Sequence, residues 1–547
     1  MVIAMVAAVL VPLVVGGALV CSDRMPRPVG QRTASAVALA AAVASAACVG
    51  VTLVDRPVLD RPWVTAVGMR LSLAVDGISA PLLALTAAIG VLVVLYGIAR
   101  PPRARYGTYL GCLLLVVGAA LLTFLARDAV LFFLAFEIVL VPMWLLIKGF
   151  GDPATRDAAA ARFVLYTVLG STLMLVGILA LTFAAGTADL TELARTRGSA
   201  LGTTQQTIVA ALLLVGLGIK VPLFPFHSWL PAAHTAAPTT GSVLLAAVLL
   251  KMGTYGVVRL AVGAVPEGFA RLAPVVGVLA VVGILWGGLV CLVERSLKRL
   301  IAWSSVAHMG FVMLALAAGG TLGVQAALLG NIAHGVVSAL LFFVVGGLKD
   351  RWHGDDLDTA REGLRDARPR LGLALVVGMA GSLALPGLAT FWGEVLTILA
   401  AWDPAPGRPE TLFAWLAVLA ALGGVLAAAY ALRVLRIVWA GGGAPGRAAD
   451  ERLRTDETRV DVARVDVARA GATRADETRD ESLADGETPA GDPPTGAVAV
   501  ASPDAVGAEW VVITVLVVAV LAVGVLPTAL LAISEPDVLR MLGEVAR

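Results

Sequence analysis

The chain is built from apolar runs of roughly 18 to 30 residues, each long enough to cross a hydrocarbon layer of about 30 Å as a helix. Stretches such as 208–219 and 371–385 are apolar at nearly every position. A transmembrane β-barrel would show about ten-residue segments of alternating polarity instead. The implied fold class is an all-α polytopic membrane protein. Composition agrees, since 59% of the 547 residues are hydrophobic and only 15% are charged. A soluble domain carries about 25% charged residues, so the composition and a mean hydropathy of +0.89 exclude a water-soluble enzyme. The net charge of +2, with no basic block interleaved with aromatics, points to no nucleic-acid partner.

Breaks between the runs place spans near 2–21, 32–54, 75–99, 107–125, 128–149, 161–185, 205–229, 238–263, 273–293, 299–318, 324–348, 371–400, 411–439 and 509–533. These are fourteen helices, the fourth and fifth divided only by Arg127 and Asp128. The first run lacks a basic leader, and Val20 before Cys21 does not suit lipoprotein cleavage, so it is expected to stay as a span. Loops after odd-numbered spans hold about twice the Lys and Arg of the others, including Arg24, Arg100, Lys148, Lys298 and Lys349. By the positive-inside rule both termini then face outward. Residues 441–507 break the pattern with low-complexity sequence, in which Asp456-Glu457-Thr458-Arg459 is echoed by Asp476-Glu477-Thr478-Arg479. Such a segment buries too little apolar surface to offset its ordering entropy, so a disordered cytoplasmic loop is expected.

Charge at mid-bilayer is costly and marks function unless a structural pairing explains it. Glu137, Lys220, Lys251 and Glu394 all lie inside apolar runs. Snorkelling or a purely structural ion pair is the plainer reading. Yet Glu137 and Lys251 stand about eight or more residues from either end of their runs, roughly 12 Å deep. Lysine choice adds to this. Of 41 basic residues, only Lys148, Lys220, Lys251, Lys298 and Lys349 are not arginine. An amine can release its proton where a guanidinium cannot. A moving Glu137 would then switch Lys220 between holding and releasing a proton.

Four of the five histidines, His227, His234, His308 and His334, lie in or beside spans. Each alone is as well explained as a packing residue. His334, about ten residues into its span, is the best candidate for a neutral carrier between charged stations. Pro231 separates His227 from His234 and no carboxylate is near them in sequence, so no metal site is expected. Cys21, Cys48, Cys112 and Cys291 are scattered singly, which indicates neither disulfides nor an iron–sulfur site. Pro222, Pro225 and Pro386-Gly387 interrupt the seventh and twelfth spans. Two broken helices five spans apart suit two inverted five-helix repeats, spans 4–8 and 9–13. Ordinary proline kinks are the alternative. The expected divisions are 1–106 (spans 1–3), 107–263 (first repeat), 264–440 (second repeat), 441–507 (loop) and 508–547 (last span and tail).

The run from Gly218 through Lys220, Pro222, Pro225, His227, Trp229, Pro231 and His234 to Pro238, followed by Lys251 and Tyr255-Gly256, closely resembles the antiporter-like subunits of respiratory complex I and their Mrp-antiporter relatives. Phe136-Glu137, Ser305 to Phe311 and Ile332 to Gly335 match as well. The resemblance implies a proton relay of Glu137, Lys220, Lys251 and Glu394, with His227, His308 and His334 as possible members. At the last position the family's L and N subunits carry lysine and its M subunit glutamate, so Glu394 points to the M type. The chain would then be a proton-translocating subunit of an NADH:quinone oxidoreductase, a translocase in the bacterial cell membrane. Flavin, iron–sulfur clusters, NADH and quinone would reside in partner subunits, because this chain has no Rossmann fingerprint or cysteine cluster. A multi-subunit Na+/H+ antiporter using the same stations is the alternative, and a structural membrane scaffold a further one. The 441–507 insert departs from the family pattern.

Overall fold

The computed structural model describes residues 1–64, 69–441 and 504–544. Thirteen helical stretches among them are long and apolar enough to span a membrane, from Val2–Ser22 to Gly507–Val525. The remaining run is the twelfth, split into Pro369–Ser382 and Ala389–Trp402. The expected spans are therefore recovered with shifted ends. The ninth begins at Pro266 rather than near 273. The last stops at Val525, and a further helix, Pro527–Leu542, follows it. Most of the insert lies outside the described residues, whereas Asp504 to Val506 leads directly into the last span.

One element interrupts the helical pattern. Val58–Val64 and Met69–Ala74 pair antiparallel between the second and third spans, so the third helix starts at Ala80 rather than near 75. This hairpin explains why two charged residues suffice to divide spans four and five. Arg127 N donates to Ser72 O at 2.9 Å, and the Asp128 carboxylate accepts from Arg70 N, Val130 N and Leu131 N. It thus caps the Ala129–Ile138 helix and ties it to the strand. Next to it, Asp76 pairs with Arg127 at 2.8 Å and with Arg259 from the end of the eighth span. Burial raises the Asp76 carboxyl, but the two guanidiniums more than offset that and hold it well below the usual carboxylate range.

Loops alternate between two ends of the bundle. A cleft of about 380 Å³ is lined by Arg100, Asp152, Pro238, Lys298, Lys349 and other residues where odd-numbered spans end and even-numbered ones begin. Arg127, Asp189 and Arg259 belong to the hairpin end, where the C-terminal helix also meets Gly77 through Asp537. The core is spans eight, ten and eleven, buried along almost their whole length. The peripheral helices expose one apolar face.

Candidate proton relay

The seventh span shows how a polar station is made inside an apolar bundle. Thr203–Lys220 ends at Lys220 because Pro222 lacks a donor and crowds the carbonyl a turn before it. Leu223 N bonds back to Gly218 O at 2.8 Å, and the indole of Trp229 takes the freed Ile219 carbonyl at 2.9 Å. The chain resumes as the helix Trp229–Ala236. Lys220 is thereby fixed at a helix C-terminus, where the partial negative charge of free carbonyls favours a cation. Its side chain is 2% exposed and its ammonium makes no hydrogen bond among the described residues. It lies over the rings of Phe136 and Phe163, at 4.9 and 5.7 Å.

Glu137 and Lys220 act on each other electrostatically. Glu137 is only half-buried, in a row with the exposed Leu134, Ile138 and Val141. Gly253 lets the eighth span close on the seventh, since a β-carbon there would stand 3.1 Å from the Lys220 β-carbon. Two residues earlier is Lys251, 1% exposed.

Around Lys251 the eighth span is wound as a π-helix over Leu245–Leu249 and again over Val257–Ala264. Such bulges recur at functional sites because they release carbonyls from the helical ladder. Lys251 Nζ donates to Ala246 O at 2.7 Å and stands 2.5 Å from His334 Nδ1. One turn away Thr254 donates to Asn331 at 2.9 Å. Spans eight and eleven are thus joined by two polar contacts in antiparallel register, surrounded by apolar side chains.

The His334 ring lies 5.7 Å from that of His308, centroid to centroid. Two small cavities of about 10 Å³ each are lined by both rings, close to the smallest volume that holds one water. His308 Nδ1 meets Glu394 Oε1 at 2.8 Å and its Nε2 meets Ser382 Oγ at 3.0 Å. Ser382 in turn lies 3.3 Å from the Tyr430 hydroxyl. Because Ser382 ends the first half of the twelfth span and Glu394 belongs to the second, one imidazole bridges the break.

The structure therefore brings Lys251, His334, His308 and Glu394 together, and Glu137 with Lys220. His227 is not joined to either group by a hydrogen bond among the described residues. It stacks on Phe224 at 5.2 Å, beside Trp303. Ser382, Tyr430, Thr254 and Asn331 were not among the residues singled out from sequence. Nor was Lys298, counted above as a loop residue, which is in fact buried and donates to Ala237 O at 2.5 Å. His234 stacks on Phe342 at 4.8 Å with neither ring nitrogen hydrogen-bonded, within the electrostatic reach of both Lys298 and Lys251. For Asn331, the signal available was its place one turn before His334 in an otherwise apolar run. No group of three or more His, Cys, Asp or Glu residues that could hold a metal occurs among the described residues.

The family model described as the transmembrane region of NADH:quinone oxidoreductase/Mrp antiporter matches residues 126–433. NAD(P)H-quinone oxidoreductase chain 4 1 of Synechococcus sp. (strain JA-3-3Ab) is 41% identical over 72% of this chain and 73% of its own length. That of Synechococcus elongatus is 40% identical over 69% and 70%. A chain of respiratory complex I from Thermus thermophilus superposes with a TM-score of 0.77 at 26% identity, over 98% of this chain and 100% of that one. A chain of the Mrp complex from Dietzia sp. DQ12-45-1b shares the fold, with a TM-score of 0.76 at 21% identity, over 99% and 98%. Together with the buried amines and acids on broken and bulged helices, these likenesses make the chain a member of the NADH:quinone oxidoreductase/Mrp antiporter family of membrane subunits.

Proposed function

We propose that this chain is a proton-translocating membrane subunit of an NADH:quinone oxidoreductase, coupled to redox chemistry performed elsewhere in the complex. The observation that carries the reading is the near-continuous polar path from Lys251 through His334 and His308 to Glu394, in the most deeply buried part of the bundle. A proton on Lys251 has His334 Nδ1 as its acceptor. A single water between the two rings completes the step to His308, whose other neighbour is the Glu394 carboxylate. Lys220 and Glu137 form the loading pair, in which a change at Glu137 alters the hold on the Lys220 proton. The cleft floored by Lys298 offers uptake, with His234 between Lys298 and Lys251.

On this reading the cleft end, rich in lysine and arginine, is cytoplasmic in a bacterial cell membrane, both termini lie outside and the 441–507 insert is cytoplasmic. The five-helix units 107–263 and 264–440 then carry one broken helix each. Flavin, iron–sulfur clusters, NADH and quinone belong to partner subunits. The half-buried Glu137, in an exposed apolar row, is suited to a neighbouring membrane subunit that would complete its surroundings.

The test is Lys220→Arg in the assembled complex reconstituted into vesicles, which keeps the charge and removes the accessible neutral state. Protons moved per electron should fall by about ten-fold or more, while undiminished pumping would refute a protonation cycle at Lys220. The likeness to the Mrp chain favours a second reading, a subunit of a multi-subunit Na+/H+ antiporter with the same stations. Co-purification separates the two, since flavin- and iron–sulfur-bearing partners are expected only for the oxidoreductase.

A further inference from the structure

The last span lies outside the residues the family model matches, yet it grips the broken twelfth span at three heights. At the cleft end, Asp504 accepts from Arg370 N at 2.8 Å and Leu371 N at 3.2 Å, capping the first half from outside. Midway, Val520 packs on Gly381, next to Ser382, at 3.3 Å from where a β-carbon would stand. At the break, Gly524 lies directly on the Gly387–Leu388 backbone. A methyl group built on it would stand 2.5 Å from the carbonyl carbons of both residues. There the indole of Trp392 donates to Gly524 O at 2.9 Å. Trp392 is two residues from Glu394.

We propose that the last span is a positioning element for the terminal acid: Gly524 and the Trp392 indole set the register of the second half-helix and so hold Glu394 against His308. The reasoning is geometric. Ser382 and Glu394 belong to separate half-helices, and both must meet one imidazole, at 3.0 and 2.8 Å. Between them Leu383 to Leu388 forms turns instead of continuous helix, held by bonds such as Leu385 N to Ala380 O at 3.3 Å and Leu388 N to Leu385 O at 3.0 Å, with Ala384 and Gly387 at positive φ. A link of that kind does not fix the offset of two helices by itself. The Thr390 hydroxyl, bonded to Gly381 O, ties the halves locally. Among the described residues the eleventh and thirteenth spans also touch both halves, and the last span adds a contact on the backbone of the break itself, through Gly524. Its register is held in turn by Glu509, which pairs with Arg351 at 2.7 Å and Arg100 at 3.1 Å. Any side chain at 524 must displace the break, and displacement of the break moves Glu394.

This inference rests on the relay reading above, and its test separates the two. Gly524→Ala and Trp392→Phe are compared with Glu394→Gln in the reconstituted complex, measuring protons moved per electron and the infrared band of the Glu394 carboxyl, assigned by its loss in Glu394→Gln. A displacement of about 1 Å suffices for a large loss, so both positioning variants should pump about ten-fold less or worse, with the carboxyl band shifted. Should Gly524→Ala fail to assemble, Trp392→Phe, which removes the indole N–H and leaves a smaller aromatic ring, decides the matter. Normal pumping with an unmoved band in Trp392→Phe, while Glu394→Gln is inactive, overturns the positioning role and leaves the relay standing. Normal pumping by Glu394→Gln would sink the relay itself.

Discussion

Lys251 Nζ and His334 Nδ1 stand 2.5 Å apart, with no carboxylate in contact with either among the described residues. Two basic groups this close share a hydrogen bond only when one supplies the proton and the other the lone pair. The pair is thus a donor and an acceptor whose roles exchange when the proton moves, which suits transfer better than static support.

Lys251→Arg keeps a cation but removes the accessible neutral form, and its larger fork does not fit beside Ala246 O and His334. Proton translocation by the assembled complex is expected to drop by about ten-fold or more. Lys251→Met, of similar length and apolar, should assemble and be equally inactive. Vesicle acidification assays check both, and a pumping Arg variant would assign Lys251 to packing.

Glu394→Gln retains the shape of the side chain and loses the acid facing His308. A fall in pumping of about two orders of magnitude is expected, the scale of a lost proton-transfer group. Ser382→Ala touches the other ring nitrogen and should cost far less, since His308 keeps its carboxylate. Equal losses in the two variants would show that His308 orientation, and not the acid, is limiting.

Asp76 carries the acid sensitivity of the hairpin end. Its carboxyl is held low by Arg259 and Arg127 despite burial, so its contribution is complete above the unfolded value of about 3.9 and is lost as pH falls towards the folded value. The midpoint temperature of the detergent-solubilised protein should therefore fall below about pH 4. Asp76→Asn should lower it at neutral pH and flatten that acid slope. An unchanged slope in the variant would place the acid sensitivity elsewhere.

Glu509→Ala strips the buried partner from Arg351 and Arg100. Breaking a buried pair from one side costs about 3–5 kcal/mol, so the variant should assemble poorly, as read by blue-native electrophoresis. Glu509→Gln, which can still accept hydrogen bonds, should recover part of the loss.

Charge in oil is a signal a sequence carries in one dimension, which is why Glu137, Lys220, Lys251, His334 and Glu394 stand out from the sequence as candidates. Proline likewise marked both broken helices. Other features depend on neighbours distant in the chain. The strand Met69–Ala74 reads as part of the loop before the third apolar run, with Arg70 as a loop cation, because its order comes from pairing with Val58–Val64. Lys298 opens a span and looks like a loop cation, and only the packing of the Trp229–Ala236 helix above it buries the amine. Ser382 is an ordinary residue until His308, far away in the chain, makes it a ring partner, with the Tyr430 hydroxyl behind it.

The half-exposed Glu137 also bears on how the protein behaves once taken out of the bilayer. Its row with Leu134, Ile138 and Val141 is open on the surface of the isolated chain, so the detergent belt around the purified protein, and not only the bundle, sets the polarity this side chain meets.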